Sequence, residues 1–352
     1  MNTYKSKLDL LETQIAIKFV KDTFEAELAK ALNIIRVSAP LFVYSTSGLN
    51  DYLSGFERPV SFKALEFDTE IEIVQSLAKW KRMALKKYNI SSGNGLYTDM
   101  NAIRRDESTD AIHSLYVDQW DWEKVLNKEE RTIEYLSDVV RKIYGVIYKV
   151  GIMVEEKYIT LESNLPKDIF IISSEELLKM YPDLTGKERE NKITKEHGAV
   201  FIYGIGWPLS NNEPHDSRAP DYDDWKLNGD ILVWDEELNI ALELSSMGIR
   251  VDSSSIYEQV MHRSKNLDHK LDNNYAQMVL NNELPLTIGG GIGQSRLCMF
   301  FLKKKHIGEV QVSIWKDEEI EKLKKQNKEM KESNSWKMTK PLRVIKKGIS
   351  KN

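Results

Sequence analysis

The chain has 352 residues, of which 41% are hydrophobic and 30% charged, a balance that fits a globular protein and excludes a disordered or bilayer-embedded one. Its formal net charge of −4 is unevenly spread, because the stretch after Trp315 is rich in lysine and leaves the remainder more acidic still. Such a body is a poor match to nucleic acid, whose recognition leans on basic patches.

No apolar run approaches the roughly 20 residues needed to span a bilayer, and the first residues lack a signal-peptide core, so a cytoplasmic location is expected. The single cysteine, Cys298, excludes an intrachain disulfide framework. From Lys7 to Leu32, apolar residues at Leu11, Ile15, Phe19, Val20, Phe24, Leu28 and Leu32 recur at helical spacing. The stretch 34–43 reads as a strand interrupted by Pro40, and 44–59 as a Gly/Ser/Asn-rich loop. The segment 71–88 starts as a strand and continues as a helix. In 113–125 the alternation puts Leu115, Val117, Gln119 and Asp121 on one strand face. Residues 129–149 form a long helix, followed by short alternating strands and helices, and 229–234 and 240–251 are strands joined by a turn. The lysine- and glutamate-rich end reads as a solvated helix. With no repeat and no linker in view, one mixed α/β (α+β) domain over 1–315 with a basic tail over 316–352 is the economical organisation.

Chemistry concentrates in a few constellations. In GGGIGQSRL, residues 289–297, glycines allow a flat ligand to approach the backbone, and Arg296 can meet phosphate or stack on a base. The spacing fits neither a dinucleotide-binding fingerprint nor a P-loop, and a structural glycine turn is the plain alternative. If the strands 229–234 and 240–251 fold back about Glu236–Glu237, Asp230 lies directly opposite Glu243. Facing carboxylates repel, which asks for a hard cation such as Mg²⁺ bridging nucleotide phosphates, unless one of them points to solvent. The segment HDSRAPDYDDW gathers Arg218, Asp221, Asp223 and Asp224; it is either a solvated turn or a reader of an amino acid, with Arg218 on the carboxylate and an aspartate on the ammonium. Gln119 and Asp121, polar where Val117 is apolar, turn one end of their strand into a site. The six histidines form no metal-ligand spacing, and no nucleophile elbow is present.

In order, IIRVSAPLF, AIRRDE with HSLYVDQWDWE, and GGGIGQSRL resemble the three motifs of class II aminoacyl-tRNA synthetases. DYLSG, QSLAKWKR, GLYTDMNAIR, RAPDYDDW, LNGDILVW and ELSSMGIRVD sharpen this, and the chain is similar from Tyr4 to Trp315 to the ammonia-dependent asparagine synthetases of the A type. That resemblance implies a class II synthetase-like catalytic domain with an antiparallel-dominated sheet of six to eight strands flanked by helices, and a homodimer. It implies conversion of L-aspartate, ATP and ammonia to asparagine, AMP and pyrophosphate, with no tRNA. The substrate pocket it implies uses Asp51, Ser76, Lys81, Gln119, Asp121, Arg218, Asp223 and Ser246. The nucleotide side uses Arg104, Arg296, Gly291 and Gly293, and Mg²⁺ falls to Asp230 and Glu243. Asp51, on its glycine-flanked loop, is expected to hold ammonium and accept its proton, with an Asx turn as the structural alternative. A glutamine-dependent route is excluded, because it needs an N-terminal cysteine nucleophile. The connection at Lys226, between RAPDYDDW and LNGDILVW, is shorter than the family pattern, which predicts a tight closure there.

Overall fold

The computed structural model describes residues 4, 6–53, 57–263, 271–319 and 321, so most of the lysine-rich end lies outside the described residues. The chain opens on helix α1, Leu10–Leu32, started by a capping box in which Asp9 accepts from the Glu12 backbone N–H and Glu12 reaches back to that of Asp9. It stops at Asn33, whose left-handed backbone (φ 57°) is one asparagine tolerates. The buried stripe is Thr13, Ala16, Val20, Phe24, Leu28 and Leu32. Leu11 and Ile15, expected on that stripe, are instead 70% and 55% exposed. The first turns follow Thr13 and Ala16 inward, because small residues let this end of the helix lie close to its neighbours.

Strands β1 (Ile34–Arg36) and β2 (Phe42–Tyr44) flank Pro40 and enter different sheets; β2 pairs with β4 (Ile71–Ile73), which also pairs with β3 (Ser61–Phe62). Helix α2 (Ala78–Lys87) leads to the hairpin β5 (Gly95–Ile103) and β6 (Tyr116–Val125). Helix α3 (Ile133–Lys157) begins and ends later than the sequence pattern suggested. Then come β7 (Phe170–Ser173), α4 (Ser174–Met180), α5 (Gly186–His197) and β8 (Ala199–Tyr203). The long hairpin β9 (Asp223–Asp235) and β10 (Ile240–Arg250) precedes α6 (Ser253–Arg263), α7 (Asn274–Leu280), β11 (Thr287–Gly293) and α8 (Gln294–Phe301). Lys226 is not in a loop, since β9 runs through it, although the pairing of β9 with β10 is irregular between Asp223 and Asn228.

The large sheet has eight strands in the order β1-β5-β6-β11-β10-β9-β8-β7. Its outer pairs β1/β5 and β7/β8 are parallel, and every pair between them is antiparallel. One face packs on α1, α3 and α8 in a continuous apolar core, with Trp120 and Trp122 fully buried and the Phe24 ring tilted against Trp120 at 4.8 Å between centroids. Burial of such rings dominates the energetics of a layer like this. The opposite face carries α2 over β5, β6 and β11, and α4 and α5 over β7 to β10. Polar residues collect between these two helical covers.

A β-bulge fixes which residues face that side. Glu243 pairs with Leu232, but the next pairs are Ser245 with Ile231 and Ser246 with Asp230, so one residue is inserted around Leu244. Asp230 therefore stands opposite Ser246 and not opposite Glu243, which corrects the simple fold-back register. The two carboxylates are diagonal neighbours on one face, brought there because Leu244 is drawn into the apolar core of the other.

Candidate active site

The centre of the polar face is built on strand parity. Across β6, β11, β10 and β9, Gln119, Asp121 and Glu123 line up with Gly293, Gly291 and Gly289, and these with Ser246 and Gly248, Asp230 and Asn228. The glycines of β11 lie in a strand and not in a turn, and they clear room for their neighbours' side chains. A Cβ at Gly291 would run into the Gln119 amide, and one at Gly289 into the Glu123 carboxylate, 2.6 Å from Arg250 Nη2. Gly289→Ala is expected to lower unfolding free energy by about 1–3 kcal/mol through overpacking, measured by urea unfolding; wild-type stability would refute the packing argument.

Arg250 ends the row. Its Nε and Nη2 grip Glu123 at 2.7–3.1 Å, and its Nη1 meets Asp223. Glu123 also accepts the Thr287 hydroxyl at 2.7 Å and lies 3.9 Å from Lys81 Nζ. Burial raises the proton affinity of Glu123, but the bidentate guanidinium, Lys81 and Thr287 together hold its pKa below the usual carboxylate value. Asp223 receives a single guanidinium N–H, and there burial wins, so its pKa is raised. Neither Glu123 nor Arg250 was singled out in the sequence, although continuing the alternation from Asp121 and from Ser246 reaches both.

Lys79 and Lys81 stand in the first turn of α2, where the helix dipole disfavours cations. Tertiary partners compensate. Lys81 Nζ pairs with Asp121 and donates to the carbonyls of Trp122 (3.0 Å) and Gly290 (3.2 Å). Asp121 accepts in turn from the Leu77 N–H at 3.3 Å, next to Ser76 at the entry to α2. Full burial lowers the Lys81 pKa despite Asp121, and Arg250 adds to the effect. For Lys79, equally enclosed, Asp221 at 2.6 Å and the nearby Asp51 outweigh burial and raise it.

Asp51 is buried, and its Oδ1 accepts from the Leu53 N–H at 3.0 Å, an Asx turn of the kind expected as the structural alternative. Its backbone is fixed by Asn50, whose amide bonds Gln75, Glu72 and Ile73, and by Gln75 Nε2 on the Asp51 carbonyl at 3.0 Å.

Towards the other end, Arg218 pairs with Asp230 through Nη2 and with Asp216 through Nη1 at 2.8 Å. Burial, with Glu243 and Glu190 adding negative charge, raises the Asp230 pKa against the pull of Arg218. Asp230 Oδ1 is buried and accepts no hydrogen bond. Arg296, in the first turn of α8, donates to the Glu243 carbonyl at 3.2 Å and to that of Ile112 at 3.4 Å, and its guanidinium lies 3.8 Å from the Glu243 carboxylate. Arg104 sits farther along the β5–β6 connection that holds Ile112, its backbone N–H on the Leu115 carbonyl at 2.8 Å and its guanidinium 3.9 Å from Glu107. Thus Asp121, Lys81, Asp223, Ser246, Arg218, Asp230, Glu243 and Arg296 form a contiguous strip, Asp51 flanks one side, and Arg104 lies on the connecting loop.

A family model described as aspartate-ammonia ligase matches residues 11–327. The chain belongs to the aspartate–ammonia ligase family. The aspartate–ammonia ligase of Bacillus cytotoxicus is 59% identical over 324 residues, covering 92% of this chain and 98% of that one. That of Fusobacterium nucleatum is 58% identical with the same coverage. Among solved structures, asparaginyl-tRNA synthetase from Entamoeba histolytica in complex with asparaginyl-adenylate superposes with a TM-score of 0.59 at 13% identity, over 86% of this chain and 66% of that one. The Pyrococcus horikoshii asparaginyl-tRNA synthetase complexed with asparaginyl-adenylate gives 0.57 at 17% identity, over 85% and 68%. At those identities the likeness establishes the fold, and this ligase has the class II aminoacyl-tRNA synthetase architecture that its motifs implied.

Proposed function

We propose that this aspartate–ammonia ligase makes L-asparagine from L-aspartate, ammonia and ATP through a β-aspartyl-AMP intermediate, releasing AMP and pyrophosphate. The observation that carries this is the continuous strip of fixed cations and carboxylates from Lys81 to Arg296, long enough to seat an amino acid beside a nucleotide. Ser76, Lys81, Gln119, Asp121, Arg218, Asp223 and Ser246 hold the aspartate. Arg218 is committed to protein carboxylates, so it takes the substrate α-carboxylate by exchanging Asp216, the exposed one of its partners. Asp223, tied to Arg250 by one N–H, keeps acceptor capacity for the α-ammonium.

Arg104, Arg296 and the backbone at Gly291 and Gly293 receive ATP, leaving its α-phosphorus open to the β-carboxylate. That carboxylate oxygen attacks phosphorus and the bond to pyrophosphate breaks. Positioning and charge neutralisation carry the rate. Asp230, whose Oδ1 is buried without a hydrogen-bond partner among the described residues, and Glu243 offer the hard oxygen donors that would hold a Mg²⁺ ion. Bound there, Mg²⁺ supplies neutralisation of phosphate charge. Among the described residues no cluster of three or more metal-type side chains competes for that role. In the second step Asp51 takes a proton from ammonium, the ammonia formed attacks the acyl carbon, the bond to the AMP oxygen breaks and AMP leaves, and the new amide gives its surplus proton to water.

The exposed Leu10, Leu11, Ile15 and Ile35 support a homodimer formed over α1 and β1. Among the described residues no helix is long and apolar enough to cross a membrane, and a cytoplasmic place follows the amino-acid chemistry. Purified protein given aspartate, ATP, Mg²⁺ and ammonium should yield asparagine and AMP in equal amounts, and none with glutamine in place of ammonium. ADP as the product, or radiolabelled aspartate or asparagine carried onto added tRNA, would overturn this function.

A further inference from the structure

Lys79 is a cation that the ligase reaction, as set out above, leaves unused. It stands at a helix start that disfavours positive charge, and it is only 4% exposed. A buried cation contributes little net stability, and an apolar chain of the same length would pack as well without desolvation. Local rules broken in this way concentrate at working sites.

Its surroundings say what the charge does. Nζ lies 2.6 Å from Asp221 Oδ2, in the β8–β9 connection that carries Arg218. It also lies 3.4 Å from the Asn50 carbonyl, at the base of the Asp51 turn, and 5.9 Å from the centre of the Tyr275 ring. The segment bearing Asp51 and the segment bearing Asp221 share no strand pairing. Both bring a carboxylate towards one buried ammonium, and without it like charges would meet in an environment of low dielectric.

We propose that Lys79 is a positioning residue for the ammonia half-reaction, fastening the Asn50–Asp51 turn to the Asp221 segment and so setting the place of Asp51 against the aspartate-holding strands. This rests on the reading of Asp51 as the carboxylate that receives ammonium. Lys79 contacts Asn50, Asp221 and Tyr275 and neither Arg218 nor Arg296, so formation of the adenylate at the far end of the strip is expected to be largely retained without that fastening.

The test separates the half-reactions in the full-length protein. Lys79→Met should leave aspartate-dependent ATP–pyrophosphate exchange within about threefold of wild type, while kcat/KM for ammonium falls roughly 10- to 100-fold, most of it in KM. Exchange and ammonium use falling together, or an unchanged ammonium kcat/KM, would overturn the proposal. If Lys79→Met does not fold, Asp221→Asn, which keeps the lysine and removes its ion pair, decides on the same criterion. Asp51→Asn is run beside them. If it leaves ammonium use intact, the reading of Asp51 falls. If it abolishes ammonium use while Lys79→Met does not, the proposal falls alone.

Discussion

Replacing Arg250 with methionine is expected to cost about 3–5 kcal/mol of unfolding free energy, the largest loss from a single exchange in the site. Methionine keeps most of the volume of the arginine stem, so the loss is one of charge and hydrogen bonding. In the wild type Arg250 neutralises Glu123 through the Nε–Nη2 edge of its guanidinium and Asp223 through Nη1, all out of contact with water. Without it Glu123 faces Lys81 alone, an ammonium already engaged by Asp121, and Asp223 keeps only the pull of Arg218. The pH dependence has a definite sign. Glu123, whose folded-state pKa is depressed by Arg250, contributes stability above its unfolded pKa and loses it as pH falls. In the variant the depressing cation is gone and burial prevails, so the folded pKa rises above the unfolded one. Its carboxylates then favour folding only at low pH. The gap between variant and wild type should therefore shrink as pH falls through the carboxylate range. Urea unfolding at neutral and acid pH checks both points, and a loss under about 1 kcal/mol at neutral pH would contradict the network's assigned weight.

Arg296→Ala is expected to lower both ATP–pyrophosphate exchange and asparagine formation by roughly 10²–10³-fold, the scale of losing one fixed donor to developing charge. The side chain is held by two backbone carbonyls from different elements, Glu243 and Ile112, so its direction is set before nucleotide arrives. Being 21% exposed, it adds little to folding, and the melting temperature should move by no more than a few degrees. Arg296→Lys should recover only part of the activity, because an ammonium cannot bond a carbonyl and a phosphate through one planar fork. Undiminished exchange in the alanine variant would remove Arg296 from the nucleotide site.

Much of this arrangement is legible in the sequence because it rests on period and parity. The hairpin of β9 and β10, the strand-to-helix passage into α2 and the polar face of β6 all come from residue patterning, and the motif arginines from resemblance to a known family. Three things were not legible, each for a physical reason. The bulge at Leu244 depends on which of two neighbouring side chains the apolar core admits, and a strand's own spelling does not contain that. The exposed Leu11 and Ile15 belong to a helix whose buried stripe starts on Thr13 and Ala16, residues that hydrophobicity alone does not rank as core. Lys79 looks like any surface lysine until Asp221, distant in sequence, closes on it. Physical reading of the residues pointed to Asp230 and Glu243 as a carboxylate pair and to Arg296 beside the glycines, while the expected roles of Asp51 and Arg104 and the identity of the amino acid and of ammonia came from family likeness.

The bulge between Glu243 and Ser245 also bears on what kinds of genetic change this enzyme can absorb. Beyond it, Ser246, Gly248 and Arg250 share one face by simple alternation, and the inserted residue puts them on the same face as Glu243. Deleting Leu244 or Ser245 removes only the inserted residue and leaves Ser246 and Gly248 opposite their present partners, whereas one further residue inserted there would invert the parity of everything beyond it and aim Arg250 at the apolar layer. Exchanges of one apolar residue for another at Leu244 leave that count intact. The bulge is thereby the place where the segment can lose a residue but not gain one, and a library of in-frame deletions should be populated there where a library of single-codon insertions is not.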